Sequence, residues 1–220
     1  MEDSISGRDE PVDLHNLGQR TVLLSSYIGG PRHMQQHFQD AMAIARFFQK
    51  VDLFITMTAN PQWEEILREL LPGQTPYDRP DLVTRVFKLK LDALIHDITK
   101  KGVLGATNAY VYIIEFQKRG LPHCHILIVF RDDYKLRTPA DIDSLISAEW
   151  PGPVTQPHLF KIVKKYMVHG PCGAANPHAP CMENGRCTKF FPKPFQDHTS
   201  MDVDGYPLYQ RRDNRRAYDV

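Results

Sequence analysis

Between Tyr110 and Phe130 the chain reads YVYIIEF, then QKRGLP, then HCHILIVF. Two apolar runs of strand length joined by so short a connection leave no room for a crossover helix, so they pair antiparallel. Gly120 gives the backbone the freedom that the reversal needs. The second run opens on His-Cys-His. Side chains alternate across a strand, so His123 and His125 share one face, about 7 Å apart along it, while Cys124 turns to the opposite, apolar face.

Two neutral imidazoles on one face can hold a divalent metal if an adjacent segment adds a third ligand. Glu115 and Gln117 stand two residues apart at the end of the preceding run, share a face and present oxygen. Either could be that third ligand, and the other would orient an imidazole. Lys118-Arg119-Gly120 places two cations at the turn, suited to a phosphate. The competing reading is a histidine pair that merely begins an ordinary strand.

The remaining elements follow from periodicity. Apolar residues recur at helical spacing from Arg32 to Lys50, at Met34, Phe38, Met42, Ala45 and Phe48. Val51–Thr58 is rich in β-formers and ends at Asn60-Pro61, so it reads as a strand. A helix is expected from Gln62 to Leu71, ending before Pro72-Gly73. A longer one, capped by Asp81, is expected to run to about Lys101 with Gly102 at its end. Further helices are expected over Ala140–Ala148 after Thr138-Pro139, and over Pro157–Met167. Strands and helices mix without regular alternation, which predicts an α+β fold. Residues 1–20 are polar and expected to be poorly ordered, 21–168 form the core, and 169–220 a Cys/His-rich segment with a basic tail.

A chain of 220 residues with 42% hydrophobic content fits one domain with a small appendage. No apolar run reaches the roughly 18 residues of a membrane span, and the start, MEDSISGRDEPVD, is polar, so no membrane partner and no secretory signal are expected. The net charge of +1 excludes an argument for nucleic-acid binding from bulk charge. Any such footprint has to be local, as at Lys100-Lys101, Lys118-Arg119, Lys164-Lys165 and Arg211-Arg212 with Arg215-Arg216.

Three of the four cysteines fall between Cys172 and Cys187. His169, Cys172, Cys181 and Cys187 offer one imidazole and three thiolates, the set that tetrahedral structural Zn²⁺ prefers, with His178 as a competing imidazole. The stretch is rich in Gly, Pro and Asn, so metal binding could supply folding energy that its core cannot. Three unpaired loop cysteines are the alternative. Trp63 reads as a core residue or, with Asn60, as a surface for an unpaired base.

Three blocks, FITMTANPQWEEI from Phe54, EFQKRGLPHCHIL from Glu115 and HGPCGAANPHAPCMENGRCTKFFPKPF from His169, resemble the helicase-like N-terminal domain of Helitron transposases. The resemblance runs from about Leu23 to the end, and Gly29-Gly30-Pro31-Arg32 and Asp40-Ala41 fit it. It implies an HUH endonuclease of the Rep type, with a five-stranded antiparallel sheet related to ferredoxin-like and RNA-recognition folds. In such enzymes Mg²⁺ or Mn²⁺ grips a phosphate of single-stranded DNA and a tyrosine attacks it. The resemblance makes His123 and His125 metal ligands with Gln117 or Glu115, and Lys118, Arg119, Asn60 and Arg32 DNA contacts. It also implies rolling-circle transposition in the nucleus, a helicase domain in cis and no small-molecule substrate.

The family's paired Tyr-x-x-x-Tyr has no counterpart in this sequence. Tyr206 and Tyr209 flank Pro207, Tyr166 stands before the cysteine segment and Tyr218 is alone, so the nucleophile is expected beyond Val220. A DNA-binding remnant that cuts nothing but keeps a structural zinc is therefore the alternative function. An unrelated hydrolytic metalloprotein is a third.

Overall fold

A computed structural model describes residues 22–117, 120–203 and 205–214. The expectations for 1–20, Lys118, Arg119, Arg215, Arg216 and Tyr218 lie outside them. The two apolar runs form β2 (Thr107–Phe116) and β3 (Pro122–Phe130), paired antiparallel, and β1 (Leu53–Thr58) pairs antiparallel with the other side of β3. The sheet order is β1-β3-β2, so the histidine strand is central.

Its two faces are chemically different. Leu53, Ile55 and Met57 lie opposite Ile128, Ile126 and Cys124, and this face packs on α3 (Pro80–Thr99). Phe87, Leu91, Ile98, Cys124, Ile126, Ile128 and Phe130 are all at most 1% exposed, which places the core between α3 and β3. Burial of that apolar surface is the main stabilising term. On the opposite face Ala41, Ile44 and Ala45 of α1 (Pro31–Phe48) line an apolar crevice with Val111, Leu127 and Val129, leaving the His123 end uncovered by them.

The mixed helix and sheet architecture agrees with expectation, with corrections. The main sheet of the described residues has three strands, against the five the resemblance implies. The other strands are two residues long and pair apart from it, β4 (Met182–Glu183) with β5 (Arg186–Cys187) and β6 (Ser200–Met201) with β7 (Pro207–Leu208). The expected Gln62–Leu71 helix shrinks to one turn, α2 (Glu64–Leu67). Asn60 Oδ1 accepts the Gln62 amide at 2.9 Å and Trp63 is extended, so the helix starts late. Past it, Gln74 Oε1 accepts the Leu71 amide, which turns the chain before Pro72-Gly73.

Asp81 is not the cap of α3. Arg79 holds that position, and Asp81, in the first turn, grips the Arg79 guanidinium through two 3.0 Å bonds that hold its carboxyl down at about 2. α4 (Pro139–Leu145) ends three residues early because Ile146 is extended, and it starts on a reciprocal cap between Thr138 and Asp141. α5 covers Pro157–Tyr166. Beyond it the chain is tied back by Arg212, whose guanidinium bonds both Glu149 oxygens at 2.8 and 2.7 Å, and by Thr199, which donates to Asp143. No helix among the described residues is long and apolar enough to cross a membrane.

Candidate functional site

The register of the sheet decides what stands beside the histidines. His123 lies opposite Thr58 on one side and Glu115 on the other; His125 lies opposite Thr56 and Ile113. Residues paired across an antiparallel ladder share a face, so Thr58, His123, Glu115 and His125 converge. The imidazoles lean together to 4.6 Å between ring centroids, at an interplanar angle of 75°. Thr58 Oγ1 lies 2.6 Å from His123 Nδ1, which leaves Nε2 of that ring free of the threonine. Glu115 Oε2 lies 3.4 Å from His125 Nε2. The exposed ring of Phe54 stacks on His125 at 5.4 Å and 10°, fixing the imidazole plane.

His125 Nδ1 is buried without a hydrogen-bond partner. It is the nitrogen of that ring turned away from Glu115, whose carboxylate lies at Nε2. Two imidazoles and a carboxylate are a donor set that divalent ions accept, so by donor type alone the three side chains suit a divalent ion.

The two candidates for third ligand separate. Glu115 is on β2 and touches His125. Gln117 is the residue after the strand's last, Phe116; its amide donates to Leu121 O at 3.0 Å and its carbonyl accepts the Gly120 amide at 2.8 Å. Glu115 is thus the candidate with a contact to a histidine. Gly120 has φ +76 with open space around it, consistent with the reversal. Asn60 is taken up by its own turn, and Arg32 is exposed in the first turn of α1. Trp63 packs against the core with the Lys90 ammonium 5.1 Å from its ring. Thr58 and Phe54 were not singled out from the sequence. Their alternation in β1 was visible, but not the register that sets them against His123 and His125.

The second site is the cysteine segment. His169, Cys172, Cys181 and Cys187 gather with their ligand atoms all within 4.8 Å of one another, and the cluster could hold a metal such as zinc. His169 Nε2 lies 3.3 Å from Cys181 Sγ and 3.4 Å from Cys187 Sγ. Tetrahedral zinc asks for an S···N edge of roughly 3.6 Å, so the spacing fits. His178 is exposed and outside the cluster.

A hairpin turn at Asn184-Gly185, with φ of 49° and 74°, presents Cys187. Phe191 stacks on His169 at 4.2 Å and 6°. Burial, with bonds to Cys187 and Cys181, pushes the Cys172 thiol up to about 11. At Cys187 burial pushes the same way. The amides of Phe191 and Lys189 and the other two thiols outweigh it and hold Cys187 down at about 6.

In comparisons with known proteins, residues 1–128 match the family described as the Helitron helicase-like domain at N-terminus. No curated protein matches the chain.

Proposed function

The chain belongs to the Helitron helicase-like N-terminal family, and on that premise we propose that it supplies the metal-and-phosphate half of a single-stranded DNA nicking and joining endonuclease. The observation that carries this reading is the convergence of His123, His125 and Glu115 on one open face of the sheet. These three would hold Mg²⁺ or Mn²⁺, which when bound supplies Lewis-acid stabilisation of a phosphate that is gaining charge. The protein's part is to keep the donors in place. Thr58 holds His123 by its Nδ1, Phe54 holds the plane of His125, and pairing of β3 on both sides keeps their backbone from shifting. Glu115 brings negative charge suited to a hard cation.

Lys118 and Arg119 are proposed phosphate contacts on sequence grounds, as two cations close in sequence to the histidine pair. The same reading proposes a helicase domain in cis and action in the nucleus. Because the sequence contains no Tyr-x-x-x-Tyr pair, the attacking tyrosine is not assigned to any residue here. The second reading is a DNA-binding protein that cuts nothing and keeps the cysteine cluster as a structural metal site.

The test is retention of a labelled single-stranded oligonucleotide with and without Mn²⁺. Retention is expected to rise with Mn²⁺ and to lose that rise in the His123→Ala/His125→Ala variant. An unchanged Mn²⁺ response in the variant would overturn the metal assignment. A covalent protein–DNA adduct would show instead that the chain carries its own nucleophile.

A further inference from the structure

Phe190 is held where a bulky residue is unfavourable. Its backbone has φ +56, in the left-handed region that glycine enters without cost and large side chains rarely adopt. The turn imposes this value. The amides of Lys189 and Phe191 both bond the Cys187 sulfur, and the Phe190 amide donates to Cys187 O at 2.9 Å. Glycine would satisfy that turn. A phenylalanine stands there instead, and its side chain is not used for packing, since the residue is 79% exposed. Its neighbour Phe191 behaves oppositely, half-buried and stacked on His169. One ring of the pair braces the cysteine cluster and the other is displayed.

The surroundings indicate what it is displayed to. In the ten residues from 186 to 195 that hold Phe190, Arg186, Lys189 and Lys193 are basic and exposed and no acid occurs, in a chain whose net charge is only +1. Lys193 Nζ lies 5.6 Å from the Phe190 ring centroid, and Phe195 is 66% exposed two residues on. Ammonium groups alternate with rings, so the surface is not one continuous apolar patch of the kind that enters a bilayer. It matches a polyanion that carries a planar apolar group at each step.

We propose that Phe190, flanked by Lys189 and Lys193 on the turn that follows Cys187, is a stacking platform for an unpaired base of single-stranded nucleic acid. The choice of partner rests on the function proposed above, but the contact is separate from His123 and His125. It gives the cysteine cluster a binding role besides any structural one: the cluster fixes the turn, and the turn fixes the ring.

The test uses the full chain purified with zinc and without added Mn²⁺, binding fluorescent oligo(dT) by anisotropy at low salt. Phe190→Gly is expected to weaken binding about 5- to 100-fold while leaving zinc content unchanged and the melting temperature unchanged or higher, because it relieves the backbone. Phe190→Trp should keep the affinity. An abasic strand, offering phosphates alone, should bind the unaltered protein as weakly as oligo(dT) binds Phe190→Gly, a comparison that needs no variant to fold.

Equal binding of oligo(dT) by Phe190→Gly and the unaltered protein overturns the proposal, as does equal binding of abasic and normal strands. Binding to phosphatidylserine vesicles but not to oligo(dT) also overturns it, in favour of a membrane surface. Oligo(rU) binding as tightly as oligo(dT) supports stacking without sugar preference. The Mn²⁺ response of His123→Ala/His125→Ala reads the nuclease proposal separately, so either can fail alone.

Discussion

Glu115 and Gln117 differ by two positions and one carboxylate, yet the hairpin treats them differently. Glu115 lies on β2 at 3.4 Å from His125, whereas the backbone of Gln117 is committed to the turn. Glu115→Gln is therefore expected to lower Mn²⁺ affinity by about 10-fold or more, in the range seen when a ligand or its support is lost. Gln117→Ala should change it less than about two-fold. Isothermal titration of both variants with Mn²⁺ checks the assignment, and the opposite ranking would make Gln117 the ligand. The common face of His123 and His125 was legible from their spacing alone, because alternation in a strand is a local property. The contacts of Thr58 and Phe54 were not legible, because they depend on how β1 registers against a strand 65 residues away.

Among the elements, α3 shows how far start and stop signals carry. Its span was legible from the start signal at Asp81 and the stop at Gly102, and the structure shows which face it buries: Val83, Val86, Phe87, Leu91 and Ile98. Its first residue was misread, since an acidic residue in the first turn and a capping residue favour the same composition. α2 was overestimated because a side chain–backbone bond from Asn60 competes with helix at its start. The same helix offers a comparison of two leucines. Leu91 is fully buried against β3 and Leu89 is 71% exposed. Leu91→Ala is expected to cost about 2–5 kcal/mol of unfolding free energy and Leu89→Ala about 0.5 kcal/mol or less. Urea titrations of the two variants measure the difference, and equal losses would show that α3 does not anchor the sheet.

At the scale of the whole molecule, two parts of the chain draw on different sources of order. The sheet and α3 enclose a continuous apolar core. From His169 to Phe195 only Ala179 and Cys187 are buried apolar residues, and the ligand cluster is what gathers the loops. Chelation is expected to open this segment to trypsin at Arg186 and Lys189 while β1, α3 and β3 stay resistant. Mass spectrometry of the fragments, with zinc added back to restore protection, checks this. Uniform digestion with and without chelator would mean that no metal orders the segment.

The central position of β3 has a consequence for how such a sequence can drift. Paired on both sides, its register fixes at once which residues face α3 and which face outward. Replacing one apolar residue by another changes only the fit of that face. Losing a single residue between Cys124 and Ile126 would carry His123 to the parity of the core positions, setting an imidazole where a buried apolar side chain belongs. This strand can therefore accept substitutions over generations but not a change of length, and a frame-preserving deletion there would damage the fold and the histidine pair together.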